Sequence, residues 1–229
     1  ALVDDVAFPR WRRRIVVKVL AKEANAIGRR EAAVLALLRS VKGAPVPELW
    51  ATCENGPHYI LVMEACGEPL SATIARGPSG DRIVRRVAAR LLGALACLRR
   101  VAIIHADVKP DNVLRDEDGD VTLIDFGNAI RPREACRYFD DFEIQTPGYR
   151  APEVLAGLPF SFPIDAFAAG IVLVELATGR RLLQAAAPGR EAALRTLEAA
   201  LGPLPAARYA GAKFLERPLE AKRADAAER

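Results

Sequence analysis

His105-Ala106-Asp107-Val108-Lys109-Pro110-Asp111-Asn112, followed by Asp125-Phe126-Gly127, is the stretch that decides how this chain is read. Each piece alone is a modest signal, since Asp107 with Asn112 also suits a turn with capping residues. In this order, with the second piece behind a short strand, they set a carboxylate, a lysine and two oxygen ligands on neighbouring loops. That is the equipment for moving a phosphoryl group to a hydroxyl. Asp107 would orient the acceptor hydroxyl and take its proton. Lys109 would neutralise the transferred phosphate. Asn112 and Asp125 supply the oxygen ligands that a hard cation such as Mg2+ requires.

Working outward, Arg14-Ile15-Val16-Val17-Lys18-Val19-Leu20 is β-branched and apolar and predicts a strand. Lys18 within it is costly to bury unless partnered. Residues 23–38 carry Val34, Leu35, Leu37 and Leu38 at helical spacing. Glu31 lies on this helix, and Glu23, near its start, suits a plain first-turn acid. Gly43, Pro45 and Pro47 end the helix. Residues 48–53 and 58–63 predict two strands joined across Asn55-Gly56 as a hairpin.

From Asp81 the pattern turns helical, with Val84, Val87, Leu91, Leu95 and Leu98 on one stripe. Asn112-Val113-Leu114 and Val121-Thr122-Leu123-Ile124 form a short strand pair about Asp118-Gly119. An irregular segment runs from Gly127 to Tyr149, and the remainder is helical and alanine-rich. The apolar run from Phe167 to Ala177 is flanked by Asp165 and contains Glu175; it is too short for a membrane span and reads as a buried core helix.

Bulk properties are compatible with an enzyme. The 229 residues are 51% apolar and 27% charged with a net charge of +4, which argues against wholesale disorder. The arginine pairs and triplets lack interleaved aromatics and read as solvated surface, so direct nucleic-acid binding is not expected. Cys53, Cys66, Cys97 and Cys136 show no metal spacing, and with only two histidines a zinc site is improbable. Reduced thiols and the lack of an opening signal peptide point to a cytoplasmic or nuclear protein.

The catalytic stretch resembles the catalytic and metal-binding loops of eukaryotic-type protein kinases, with Ala106 where most members carry arginine. Lys18 resembles the strand lysine that meets the ATP phosphates, and Glu31 its carboxylate partner, at a spacing somewhat short for the family, with Glu23 the second candidate. Met63 resembles the residue at the back of the adenine pocket and also suits an ordinary core methionine. Glu64-Ala65-Cys66 resembles the hinge whose backbone binds adenine. Thr146-Pro147-Gly148-Tyr149-Arg150-Ala151-Pro152-Glu153 resembles the substrate-binding loop of serine/threonine kinases, and Lys109 fits the same specificity. Asp165 resembles the buried aspartate opening the central helix. Arg223 is either the arginine that pairs with Glu153 or an exposed helix residue. Ile144-Gln145-Thr146 and Glu175 to Gly179 resemble the CMGC group, with similarities to SR-protein, LAMMER and homeodomain-interacting kinases; Pro147 departs from the group's usual arginine.

The resemblance spans residues 6–228. It implies an α+β, two-lobed fold: residues 1–65 as a small sheet lobe with one helix, and residues 66–229 as a larger helical lobe. No glycine precedes Gly28, so the glycine-rich loop is expected to be absent or truncated, and both ends are expected to be trimmed. The implied function is ATP- and Mg2+-dependent phosphorylation of serine or threonine on proteins. The alternative is a pseudokinase that binds nucleotide or protein. A small-molecule phosphotransferase is disfavoured by Asp125-Phe126-Gly127 together with Ala151-Pro152-Glu153. Ala106, and Glu143 as a carboxylate within reach of Arg150, imply activity independent of phosphorylation in residues 128–149; a solvated acid is the other reading of Glu143. Substrate protein and oligomeric state are not legible.

Overall fold

The computed structural model describes the backbone of residues 2–7 and all of residues 14–138, 144–183, 189–205, 209 and 211–212. Four antiparallel strands, β1 (Leu2–Ala7), β2 (Arg14–Leu20), β3 (Leu49–Asn55) and β4 (His58–Glu64), form a sheet in the order β1-β2-β4-β3. The predicted strand at residues 14–20 has the same bounds here. The hairpin closes with Asn55 opposite His58, and Gly56 at φ +57° takes the left-handed turn position. Tyr59, Leu61 and Met63 alternate inward along β4, as a half-buried strand requires.

Helix α1 (Asn25–Leu38) lies on that sheet and buries Glu31, Ala32, Val34, Leu35 and Leu38. It begins later than the apolar periodicity suggests, because Lys22–Ala24 forms a single 3-10 turn first. Gly28 lets the helix sit close on the sheet: a Cβ there would stand 2.7 Å from Tyr59 Cδ1. Leu38 is 1% exposed, so its truncation to alanine should cost about 2–5 kcal/mol.

A second sheet holds β5 (Glu68–Pro69), β6 (Val113–Arg115) and β7 (Val121–Leu123), the last two being the predicted strand pair. Residues 70–75 form a short helix, α2, that the sequence pattern did not signal. Helix α3 (Asp81–Arg100) buries the stripe Val87, Leu91, Ala94 and Leu98 and packs on α5 (Pro163–Thr178). Helix α4 (Pro152–Leu155) precedes α5, and α6 (Arg190–Leu201) follows it. Helix α5 is the predicted core helix; Ile164, Ala168, Val172 and Leu176 have no exposed surface.

One apolar cluster runs from Leu35, Leu38 and Leu61 through Phe126 to Leu91 and Leu176. A smaller one gathers Ile104, Ala106, Ile130, Ile144, Ala151 and Ile164 under the loops that carry the chemistry. All four cysteines are free. No described helix is long and apolar enough to cross a membrane.

Candidate active site

A cavity of about 540 Å³ lies between the first sheet and the loops that follow it. Lys18, Glu31, Met63, Glu64, Cys66, Asn112 and Asp125 all line it, which brings together every residue read as nucleotide-facing. Val16 and Leu114 also line it and escaped the sequence reading. The signal was present in part: Val16 shares a strand face with Lys18 and stands opposite Met63 in the sheet. At the hinge-like turn, burial, reinforced by the nearby Glu64 charge, pushes the Cys66 thiol up to about 11, so it stays neutral at physiological pH.

Lys18 Nζ donates to Glu31 Oε2 at 2.7 Å and to Asp125 Oδ1 at 2.9 Å. Burial alone would lower the Lys18 pKa; the two carboxylates outweigh it and hold the ammonium above its usual value. Burial pushes Glu31 up against the pull of Lys18. Burial also works to raise Asp125, but the Lys18 charge prevails and keeps that carboxyl below the usual carboxylate range. Glu23 is exposed on the 3-10 turn, so the pairing acid is Glu31. The short spacing works because α1 starts almost directly after β2.

The second constellation forms around Asp107, which is 5% exposed. Thr146 Oγ1 donates to Asp107 Oδ1 at 2.6 Å, and Lys109 Nζ donates to Asp107 Oδ2 at 2.9 Å and to Thr146 Oγ1 at 3.0 Å. Asn112 Nδ2 donates to the Asp107 carbonyl at 2.9 Å and to Asp107 Oδ2 at 3.2 Å. Those bonds commit the amide nitrogen and leave the side-chain oxygen Oδ1 as the Asn112 atom able to ligate a cation. With Asp125 it gives two oxygen donors at the cavity edge. Among the described residues no group of three or more His, Cys, Asp or Glu could hold a metal. Such a pair suits an ion like Mg2+, which keeps waters and is shared with substrate phosphates.

His105 and Asp165 hold the loop from below. Asp165 Oδ2 accepts the His105 backbone N–H at 2.7 Å and Oδ1 that of Ala106 at 2.9 Å. Burial pushes the Asp165 carboxyl up while these two N–H groups oppose it. The Asp107 N–H donates to His105 Nδ1, which leaves Nε2 as the protonated nitrogen, donating to the Ile124 carbonyl at 3.0 Å. The His105 ring meets Phe126 edge-on at 5.1 Å between centroids.

Three non-glycine residues here have left-handed backbones: Ala106 (φ +64°), Asp125 (φ +62°) and Gln145 (φ +60°). Such conformations persist only where surroundings over-determine them, and they concentrate at functional sites. Beyond Gln145, Tyr149 N–H closes a turn onto the Thr146 carbonyl, with Pro147 exposed and Gly148 at φ +90°. Proline then glycine at the centre suits a type II turn. Tyr149 Oη donates to Glu175 Oε2 at 2.8 Å, tying this turn to α5. Glu143 and Arg223 lie outside the described residues.

The protein kinase domain family matches residues 9–202. The chain belongs to the protein kinase domain family. The kinase domain is 35% identical to mouse homeodomain-interacting protein kinase 4, over 74% of this chain and 30% of that protein. It is 29% identical to the probable serine/threonine-protein kinase KCC4 of Saccharomyces cerevisiae, over 66% of this chain and 14% of that one. It is 34% identical to serine/threonine-protein kinase PknL of Mycobacterium tuberculosis, over 55% and 32% respectively. The chain thus spans about 30% of the length of the homeodomain-interacting kinase it matches. The likeness to homeodomain-interacting kinases read from the sequence agrees with the match to homeodomain-interacting protein kinase 4.

Proposed function

We propose that this kinase domain transfers the γ-phosphoryl group of ATP to serine or threonine hydroxyls of proteins, in an Mg2+-dependent reaction. The observation that carries the reading is the meeting of Asp107, Lys109 and Thr146 within hydrogen-bond distance, close to a cavity lined by Lys18, Asn112 and Asp125. Residues 1–65 act as the small lobe and residues 66–229 as the large lobe, with nucleotide between them.

In this reading Asp107 takes the place of base. It orients the acceptor hydroxyl and receives its proton as the oxygen–phosphorus bond forms and the bond to the β-phosphate oxygen breaks, ADP leaving. Lys109 offsets charge on the phosphoryl group in flight, and Thr146 holds the other Asp107 oxygen. Lys18 orients phosphates, with Glu31 fixing its ammonium. Met63 backs the adenine pocket, and Glu64 to Cys66 offer backbone to the base. Asn112 and Asp125 would hold Mg2+, which when bound neutralises phosphate charge. Retention of Lys18, Asp107, Asn112 and Asp125 favours this reading over a domain that only binds.

The test is incubation of the purified protein with labelled ATP, MgCl2 and a generic basic protein. Label appearing on serine or threonine, and lost on chelation with EDTA, is the expected result. Nucleotide binding without any transfer would replace this reading by the binding-only one.

A further inference from the structure

We propose that Gln145 is a positioning residue for the protein acceptor, clasping the segment that carries Thr146 to both the catalytic loop and α5. The inference rests on the kinase reading above and adds a residue to it. Gln145 is 4% exposed and uses each of its polar groups. Its backbone N–H donates to the Ala106 carbonyl at 3.2 Å, beside the proposed base. Its side-chain Nε2 donates to the Ile164 carbonyl at 3.1 Å, at the start of α5. Its Oε1 accepts the Ala151 N–H at 2.9 Å, and its backbone carbonyl accepts Arg150 Nε at 2.9 Å.

One residue thus joins three pieces of chain: the catalytic loop at Ala106, residues 150–151 just past the turn, and the start of the central helix at Ile164. The amide orientation is unambiguous, since one partner is a carbonyl and the other an N–H. The backbone is held left-handed at φ +60°, a conformation a glutamine adopts only under constraint. That conformation sets the direction in which the chain enters Thr146, whose hydroxyl lies 2.6 Å from Asp107 Oδ1. Gln145 does not line the cavity. Its loss should therefore loosen the acceptor side and leave the nucleotide side alone.

Two variants separate the clasp from simple backbone strain. Gln145→Asn is at ease in the left-handed region yet is a methylene too short to span Ile164 and Ala151. Gln145→Glu keeps the length and the acceptor for Ala151 but removes the donor to Ile164. Three quantities are read in the full chain: the KM for a peptide substrate, the dissociation constant of an ATP analogue, and amide exchange at Ala151. For Gln145→Asn the peptide KM should rise about tenfold, the nucleotide constant should stay within about twofold, and Ala151 should exchange faster. Gln145→Glu should shift the peptide KM in the same direction. An active wild type whose variants keep their peptide KM sinks this inference alone. Equal losses of peptide and nucleotide affinity also overturn it, since they report general loosening. A wild type that transfers no phosphoryl group sinks the kinase reading and this inference together.

Discussion

Lys18 and Asp125, 107 positions apart in the chain, meet at 2.9 Å, and Glu31 reaches the same ammonium from α1. A strand, a helix and a loop from distant parts of the sequence therefore share one charge. Lys18→Met should depress phosphoryl transfer by orders of magnitude. It also strands Glu31, which is 2% exposed, without its cation. Breaking a buried pair from one side costs about 3–5 kcal/mol, so the variant should unfold at lower denaturant. Lys18→Met combined with Glu31→Gln should recover part of that stability and none of the activity. Near-normal turnover in the single variant would make Lys18 an ordinary strand residue.

Asp125→Asn should abolish transfer while the protein still folds, since volume is kept and the side chain is partly exposed. Its pKa is held below the ordinary 3.8 in the folded state, so its contribution to stability is present above the unfolded value. That contribution fades as pH falls through the folded value. The raised pKa of Lys18 works at the other end: its contribution holds at neutral pH and is lost only as pH climbs through a folded value above 10.5. Thermal melts of wild type and Asp125→Asn should differ at pH 7 and draw together as pH falls through the folded value of the carboxyl group. A gap that persists unchanged in acid would show that the ion pair is not its source.

Asp165 is the only described partner of the His105 and Ala106 backbone N–H groups. Asp165→Ala leaves both buried donors unsatisfied, at about 1–3 kcal/mol each. Asp165→Asn retains one acceptor oxygen and should fall between wild type and Asp165→Ala in denaturant midpoint. An alanine variant as stable as the asparagine one would mean that these two bonds do not hold the loop.

Ala106 is fully buried in the apolar cluster with Ile144, Ala151 and Ile164. Arg150 Nε is already engaged by the Ile144 and Gln145 carbonyls. The segment after residue 143 is thus anchored to the catalytic loop by packing and amide bonds, with no arginine at position 106 to receive a phosphate. Protein made in bacteria and treated with phosphatase should be as active as untreated protein. A large loss, restored by autophosphorylation within residues 128–149, would defeat the expectation.

Much of this was legible because the chemistry is local in sequence. Asp107, Lys109 and Asn112 fall within one loop, and the strand at residues 14–20 declares itself by β-branched residues around one lysine. Residues 66–80 were less legible: β5 is only two residues long and α2 only six, too short for periodicity to register. Leu114 and Val16 look like any strand residues until the sheet and loop face each other across the cavity. Gln145 sits inside a recognisable motif, but its contacts are invisible in sequence because they depend on a left-handed backbone and on partners at positions 106, 151 and 164.

Gly127 abuts α1 so closely that a Cβ there would stand 2.4 Å from Ile27 Cγ2, and Arg30 Nη1 donates to its carbonyl at 3.3 Å. On its other side α1 is pressed against Tyr59 and Leu20 at Gly28. At consecutive residues, 27 and 28, the helix therefore meets the loop after Asp125 and the sheet. Arg30 and Ile27 touch the loop at Gly127, while Glu31, one turn on, shares the Lys18 ammonium with Asp125. The helix is thus the mechanical link between the sheet that carries Lys18 and the loop that carries Asp125.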